Sequence, residues 1–94
     1  MAQFKATYVV DGDTFDVSFG WVWDGNKGSR VRAAGYDAPE LNTVAGRGAK
    51  DKLERLILGK YVELGNAYKF DRGRLVCDVF YNGRNLADYF PEYR

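Results

Sequence analysis

Residues 14–23 place the strongest constraint on how this chain can fold. Within them, apolar side chains alternate with small or polar ones: Phe15, Val17, Phe19 and Trp21 against Asp16, Ser18 and Gly20. Successive side chains of a β-strand point to opposite faces of the sheet, so this period of two predicts a half-buried strand. The 11 glycines against 2 prolines point to many turns, which favours short strands over a helical bundle.

The segments around this strand predict a meander of three strands. Residues 4–10 are rich in aromatic and β-branched types and indicate a first strand. A tight connection at 11–13 follows, because Gly12 permits positive φ and aspartate tolerates turn geometry. A second turn at 24–28 returns the chain into a third strand at 29–34.

From residue 45 the period changes to that of a helix. One face carries apolar side chains at i, i+4, i+7 and i+8, namely Ala49, Leu53, Leu56 and Ile57. The charged residues at 50–52 and 54–55 fall on the other face. Thr43 suits the N-cap position, and Gly59 stands where a left-handed residue commonly ends a helix.

The rest of the chain predicts two more strands, at 61–64 and 75–81, joined by a mobile polar loop that contains residues 71–74. Asn82-Gly83 indicates a turn, and residues 85–90 a short amphipathic helix. The expected order is β-β-β-α-β-β-α, mainly β with α. A five-stranded barrel with a helix between strands 3 and 4 is the OB architecture. We expect the 94 residues to form one such domain.

Two residue types limit the chemistry open to the chain. It contains no histidine, which excludes imidazole catalysis and histidine-ligated zinc. Its single cysteine, Cys77, lies among the apolar residues Leu75, Val76 and Val79. Without an imidazole partner or a second cysteine, we expect it to be a small strand residue and not a nucleophile or half of an internal disulfide.

Charge and hydropathy narrow the partners and the location. The 14 basic and 13 acidic residues give a net charge of +1, so a polyanion would have to be held by local groups. No run of residues is long and apolar enough to span a membrane. Met1 leads almost directly into a strand-like segment, so we expect no signal peptide and a cytoplasmic location. A secreted protein trimmed of its leader would look the same.

Clustered carboxylates point to a site for a hard cation. Asp11 and Asp13 lie two apart at a tight turn, and the meander can bring Asp37 close to them. Aspartates with a backbone carbonyl and waters form a loose, oxygen-only site for Ca²⁺ or another hard divalent cation. Glu40 follows close enough to orient or deprotonate a water beside that cation. Taken singly, the aspartates also fit an ordinary turn, and Glu40 a solvated loop residue.

Basic residues supply candidates for binding phosphate. Odd–even alternation puts Arg30 and Arg32 on one face of the third strand, where an arginine facing a polar cleft can grip two phosphate oxygens. Arg74 follows a glycine and is free to reach the same cleft, where two guanidiniums would stabilise a pentacoordinate transition state. Lys69 and Arg72 can guide a nucleic-acid backbone inward. The alternative for Arg32 is a solvent-facing strand arginine.

In order along the chain, these residues resemble the motifs of the staphylococcal-nuclease-like (thermonuclease) family. The matching segments are Val10-Asp11-Gly12-Asp13-Thr14, Val31-Arg32 leading to Asp37-Ala38-Pro39-Glu40, Asp71-Arg72-Gly73-Arg74, and Asn82-Gly83-Arg84-Asn85-Leu86-Ala87. The match covers nearly the whole chain, and an arginine five residues before the aspartate makes the ordered set specific. The resemblance implies an OB-fold nuclease that hydrolyses DNA and RNA with Ca²⁺.

The resemblance also implies a role for each matching residue. The residues implied to hold the cation are Asp13, Asp37 and the carbonyl of Ala38, with Asp11 acting through water. Glu40 would be the general base, and Arg32 and Arg74 would clamp the phosphate. Ala38 replaces a threonine often found there, and we expect the change to be tolerated because only its carbonyl is needed.

The chain departs from the family pattern at two points. The loop at 71–74 is one residue shorter, lacking a residue, commonly aromatic, before the glycine. The chain also stops soon after residues 85–90, where relatives continue into another helix and a segment with nucleotide-binding tyrosines. A weak substrate affinity, a second chain covering the apolar surface in a dimer, or a fragment of a longer protein would each fit this ending.

The leading hypothesis is a Ca²⁺-dependent nuclease acting on single-stranded or denatured DNA and RNA. The acids and arginines that this hypothesis requires are all present in the sequence, which argues for an enzyme. The alternative is a non-catalytic OB module that binds nucleic acid or protein, and the nearly neutral charge favours it. A third hypothesis is an interaction domain in which the aspartates only rigidify a turn.

Overall fold

A closed barrel of five strands, with one α-helix between strands 3 and 4, forms the body of the protein. The structure is a computed structural model and describes residues 3–94. Its elements are β1 (Gln3–Asp11), β2 (Thr14–Trp23), β3 (Asn26–Ala33), α1 (Val44–Ile57), β4 (Tyr61–Asp71), β5 (Arg74–Tyr81), β6 (Arg84–Asn85), and the 3₁₀ turns Leu86–Tyr89 and Pro91–Tyr93. The predicted five-stranded OB-type barrel is confirmed. Within the described residues, no helix is long and apolar enough to cross a membrane.

Closure of the barrel depends on a parallel pairing between β3 and β5. The sheet order is β3-β2-β1-β4-β5-β6, and its neighbours run antiparallel. The register Val31↔Leu75 and Ala33↔Cys77 then joins the two strands that would otherwise leave the barrel open. This pairing also places the C-terminal end of β3 beside the start of β5. Residues following β3 and residues opening β5 are therefore neighbours in space.

The helix forms as the sequence predicts and covers the barrel. Thr43 caps it, with its hydroxyl oxygen accepting a hydrogen bond from the Gly46 amide at 2.9 Å. Leu53 and Ile57 are fully buried, whereas Leu56 is only partly buried against the core. Gly59 has a φ of 78°, as expected for the residue that ends the helix.

Cys77 lies in the core, as the sequence predicts. Its side chain is fully buried on β5, and burial raises the pKa of the thiol to about 12. The thiol is therefore protonated at neutral pH, which suits a packing residue.

The prediction of a mobile polar loop between the fourth and fifth strands is wrong. The strand β4 runs on to Asp71, and only Arg72 and Gly73, both with positive φ, form the turn. The predicted strand stops at Leu64, before Gly65, where a Cβ would lie 2.7 Å from the Phe80 ring. The glycine thus leaves room for a cross-strand aromatic ring, and register shifts around Ala67 absorb the irregular sequence.

Phe19 also differs from its predicted place on the buried face of β2. It is fully exposed and has a φ of 64°, next to Gly20 with a φ of 65°. Residues 17–20 of β2 lie opposite Ser29 alone, because pairing passes from Asp16↔Arg30 directly to Trp21↔Gly28. The resulting bulge turns Phe19 outward and returns Trp21 to the interior.

The predicted C-terminal helix is a 3₁₀ turn, Leu86–Tyr89. The Asn85 side chain accepts a hydrogen bond from the Ala87 amide at 2.9 Å and caps the turn. Leu86, Ala87 and Phe90 are buried, so the predicted amphipathic character is present in a tighter helix.

Two glycines of α1 provide a test of how the helix packs. A Cβ on Gly46 would lie 1.8 Å from the Glu40 carbonyl oxygen, whereas a Cβ on Gly48 would meet nothing within 4 Å. We expect Gly46→Ala to lower the free energy of unfolding by about 2 kcal/mol or more, since backbone must move. Gly48→Ala should raise it by about 0.5–1 kcal/mol, because alanine favours the helix.

Urea unfolding of both variants measures the difference. Equal effects of the two substitutions would contradict the close approach of the helix to the Glu40 backbone.

Candidate functional site

One cavity gathers the acids and arginines that the sequence singles out. It has a volume of about 400 Å³ and is lined by Asp11, Asp13, Arg32, Asp37, Ala38, Pro39, Glu40, Leu41, Arg72 and Arg74. An adjoining cavity of about 360 Å³ shares Arg32 and Arg74 and adds Lys69 and Asp71. The predicted site residues therefore lie together, with Lys69 in the second cavity.

The turn between β1 and β2 holds Asp11 and Asp13 in a fixed relation. The Asp13 amide donates a hydrogen bond to Asp11 Oδ1 at 3.1 Å. Gly12 does not have the positive φ that the sequence suggested. It is needed for space, because a Cβ there would lie 2.6 Å from the Ala49 Cβ and 2.7 Å from the Ala38 Cβ. The helix and the Asp37 segment thus press directly on the acidic turn.

Asp13 is a buried acid with several partners. Its Oδ1 accepts a hydrogen bond from the Thr14 hydroxyl at 3.1 Å, and its Oδ2 accepts one from the Ala38 amide at 3.0 Å. Burial raises the pKa of Asp13 to about 6, and the neighbouring Asp11 acts in the same direction. The Ala38 amide and Arg32 oppose this rise without cancelling it.

Arg32 lies between two of the predicted cation ligands. Its Nη2 is 3.2 Å from Asp13 Oδ2 and 2.6 Å from Asp37 Oδ1. Its Nη1 donates to the Tyr36 carbonyl at 2.9 Å. The neighbouring arginine on the same strand face, Arg30, pairs instead with Asp16, so Arg32 is the one of the two that enters the cavity.

Backbone contacts hold the exposed acids in place. The Asp37 side chain is 89% exposed, but its amide donates to the Tyr93 carbonyl at 2.9 Å. Glu40 is exposed at the cavity wall, and its carbonyl accepts hydrogen bonds from the Thr43 amide at 3.1 Å and the Thr43 hydroxyl at 2.7 Å. The loop is therefore fixed at both ends while both carboxylates remain open to solvent.

The shorter loop at 71–74 still places Arg74 in the cavity. Arg74 opens β5 directly after the Arg72-Gly73 turn, and its Nη2 lies 3.3 Å from Asp71 Oδ2. Sequence reasoning missed Asp71 as the partner of Arg74, although their spacing across a two-residue turn was a usable signal. It also missed the contacts of the Tyr36 hydroxyl, for which the sequence carries no pattern.

The acids of the cavity offer oxygen atoms of the kind that hard cations bind. Asp13 Oδ2 and Asp37 Oδ1 both lie against Arg32 Nη2, so the guanidinium stands between them. Within residues 3–94, no three His, Cys, Asp or Glu side chains are placed to hold a metal ion by themselves. A cation here would take its other ligands from carbonyl and water oxygens, as Ca²⁺ commonly does.

The raised pKa of Asp13 predicts how stability depends on pH when no divalent cation is present. The pKa of Asp13 is raised from 3.8 to about 6 by folding, so the folded state binds the proton more tightly than the unfolded state. This stabilisation is present below pH 4 and is lost as pH rises through 6. The difference in the free energy of unfolding, Asp13→Asn minus wild type, should increase by about 2–3 kcal/mol as pH rises from 4 to 7.

Urea unfolding with EDTA at pH 4, 5, 6 and 7 measures this difference. Asp51→Asn, which alters one exposed carboxylate of α1, is the control and should change stability little. A difference between Asp13→Asn and wild type that stays flat over this range would contradict the burial of an ionisable Asp13.

Comparison with known proteins finds distant similarity. No family model matches the chain. It is 33% identical over 82 residues to a Haemophilus influenzae protein named "Uncharacterized endonuclease", covering 87% of this chain and 44% of that protein. It is 39% identical over 60 residues to an "Uncharacterized 38.1 kDa protein" of Capnoides sempervirens, covering 63% of this chain and 18% of that protein. The chain thus spans less than half the length of either relative.

Proposed function

We propose that this protein is a nuclease that hydrolyses phosphodiester bonds of single-stranded or denatured DNA and RNA with Ca²⁺ or another hard divalent cation. The observation that carries the proposal is the gathering of Asp13, Arg32, Asp37, Glu40 and Arg74 around one cavity. The similarity to a protein named as an endonuclease supports it. So does the resemblance of the motifs to the staphylococcal-nuclease-like family.

The acids would bind the divalent cation that the proposed reaction requires. Asp13, Asp37 and the Ala38 carbonyl are the proposed direct ligands, and Asp11 is proposed to act through water. A bound divalent cation would polarise the phosphoryl oxygen and the attacking water. Because Asp13 has a raised pKa, its proton must leave before its carboxylate can serve as a ligand.

The two arginines would bind the scissile phosphate. In the structure Arg32 is held by Asp13 and Asp37, so phosphate must replace carboxylate as its partner. Arg74 contacts Asp71 at 3.3 and 3.4 Å, a loose hold that a phosphate oxygen can displace. Two planar guanidiniums can each donate a pair of hydrogen bonds to the additional charge that develops at phosphorus.

Glu40 would act as the general base. Its carboxylate is exposed on the cavity wall, where it can accept a proton from water as that water attacks phosphorus. The bond from phosphorus to the leaving oxygen then breaks, and the leaving oxygen takes a proton from solvent. The loop that carries Glu40 is held by Thr43, so the carboxylate starts from a fixed backbone.

Lys69 and Arg72 would hold the strand on either side of the reacting phosphate. Arg72 lines the main cavity, and Lys69 lines the adjoining one. A net charge of +1 provides little long-range attraction, so these local charges are the ones that would bind the backbone. Binding is accordingly expected to weaken steeply as salt increases.

A non-catalytic OB module that binds nucleic acid or protein is the second candidate. The pairing of Arg32 with both Asp13 and Asp37 favours it, because a stable internal ion pair can serve structure alone. Binding of single-stranded DNA without cleavage under any cation condition would support this candidate over the nuclease.

Cleavage of single-stranded DNA and RNA, in Ca²⁺, Mg²⁺ or EDTA, tests the proposal. We expect cleavage with the cation and none with EDTA. Glu40→Gln should lower kcat by roughly 10²–10⁴-fold, since the base is lost. Arg32→Ala should lower it by about 10²–10³-fold, the effect of removing one preorganised donor.

Arg30→Ala is the matched control for Arg32→Ala. It removes an arginine from the same strand face that pairs with Asp16 outside the cavity, so its rate should stay close to wild type. Cleavage that persists in EDTA, or a rate untouched by both Glu40→Gln and Arg32→Ala, would refute the mechanism.

A further inference from the structure

Tyr36 connects the two acidic segments of the candidate site. Its hydroxyl donates a hydrogen bond of 2.7 Å to the carbonyl of Gly12, which lies 24 residues earlier between Asp11 and Asp13. Tyr36 itself directly precedes Asp37. The bond is buried from solvent.

We infer that the Tyr36 hydroxyl is a positioning group that fixes the Asp11–Asp13 turn against the Asp37–Ala38 segment. The use of this positioning in catalysis rests on the proposed nuclease function. The positioning itself is a property of the folded chain, so it can be measured without cation or substrate.

The aromatic ring of Tyr36 is held rigidly enough for this role. It stacks on the Phe90 ring with centroids 4.6 Å apart and planes 2° from parallel. Phe90 is fully buried. The Tyr93 carbonyl accepts a hydrogen bond of 2.9 Å from the Asp37 amide. Residues 90–93 therefore hold the ring of Tyr36 and the backbone of Asp37 together.

A second hydrogen bond joins the same two segments but occupies a proposed ligand. The Ala38 amide donates to Asp13 Oδ2 at 3.0 Å, the oxygen that also faces Arg32. The Tyr36 bond reaches a backbone carbonyl instead, so it joins the segments without using either carboxylate. The Tyr36 carbonyl also accepts a hydrogen bond from Arg32 Nη1. Tyr36 therefore contacts both the Asp11–Asp13 turn and the arginine that is proposed to bind phosphate.

Tyr36→Phe tests the inference because it removes the hydroxyl and keeps the stacked ring. Tyr89→Phe is the matched control, since the Tyr89 hydroxyl also donates to a backbone carbonyl, that of Tyr81, at 3.1 Å. The probe is hydrogen exchange of the Ala38 amide in cation-free protein, measured by NMR. Exchange at Val31, which is fully buried in the core, reports any general loss of stability.

We expect Ala38 exchange in Tyr36→Phe to be roughly tenfold faster after correction for the change at Val31. Tyr89→Phe should leave the corrected Ala38 rate unchanged. The inference is overturned if the two variants give the same corrected rate. Should Tyr36→Phe not fold, the wild-type spectrum decides: a slowly exchanging Tyr36 hydroxyl proton supports the bond, and its absence refutes it.

Calorimetric titration with Ca²⁺ and the cleavage assay separate this inference from the proposed function. A wild-type protein that neither binds Ca²⁺ nor cleaves, but whose Ala38 amide responds to Tyr36→Phe, refutes the nuclease and supports the positioning role. If the wild-type protein binds Ca²⁺ and cleaves, the Tyr36→Phe variant should bind Ca²⁺ about tenfold more weakly than wild type, because its site is less preorganised. If it binds and cleaves and Tyr36→Phe alters neither Ca²⁺ affinity nor Ala38 exchange, the positioning role is refuted alone.

Discussion

Burial of the Asp13 carboxylate is the constraint on which the rest of the site depends. An ionised carboxylate loses its hydrogen bonds to water when it is buried, and nearby donors must replace them. Here the donors are the Thr14 hydroxyl, the Ala38 amide and Arg32, and they come from β2, the loop after β3 and β3 itself. The raised pKa of Asp13 indicates that these donors compensate its burial only in part. Incomplete compensation of this kind is common at functional sites, where a ligand supplies what the fold does not.

Arg32 couples the acids to the proposed phosphate site, because it can serve only one set of partners fully. Its Nη2 is shared between Asp13 and Asp37 in the structure. Under the proposed mechanism, a cation would take over those carboxylates and leave the guanidinium to the phosphate. Binding of cation and phosphate would then support each other, since each removes a competitor of the other.

Local sequence pattern is enough to predict most of the fold. The errors of that prediction come from contacts between residues that are distant in the sequence. The order of strand-like and helix-like segments predicted the barrel, and the apolar face of residues 49–57 with the cap at Thr43 predicted its helix. Phe19 was misplaced because a bulge depends on pairing with β3 and not on the residues of β2 alone. The predicted acids and arginines line one cavity, as their order suggested, but their roles remain predictions. Neither the sharing of Arg32 between two aspartates nor the Tyr36 contact has any signal in local spacing.

Residues 90–93 connect α1 to the candidate site. Lys52 of α1 pairs with Glu92 at 3.1 Å and lies 4.5 Å from the centre of the Phe90 ring, which joins the segment to the helix. The same segment stacks on Tyr36 and accepts the Asp37 amide. Residues 90–93 therefore support Asp37 through its backbone. The backbone that carries the acid is fixed from the core side, and its side chain remains open to solvent.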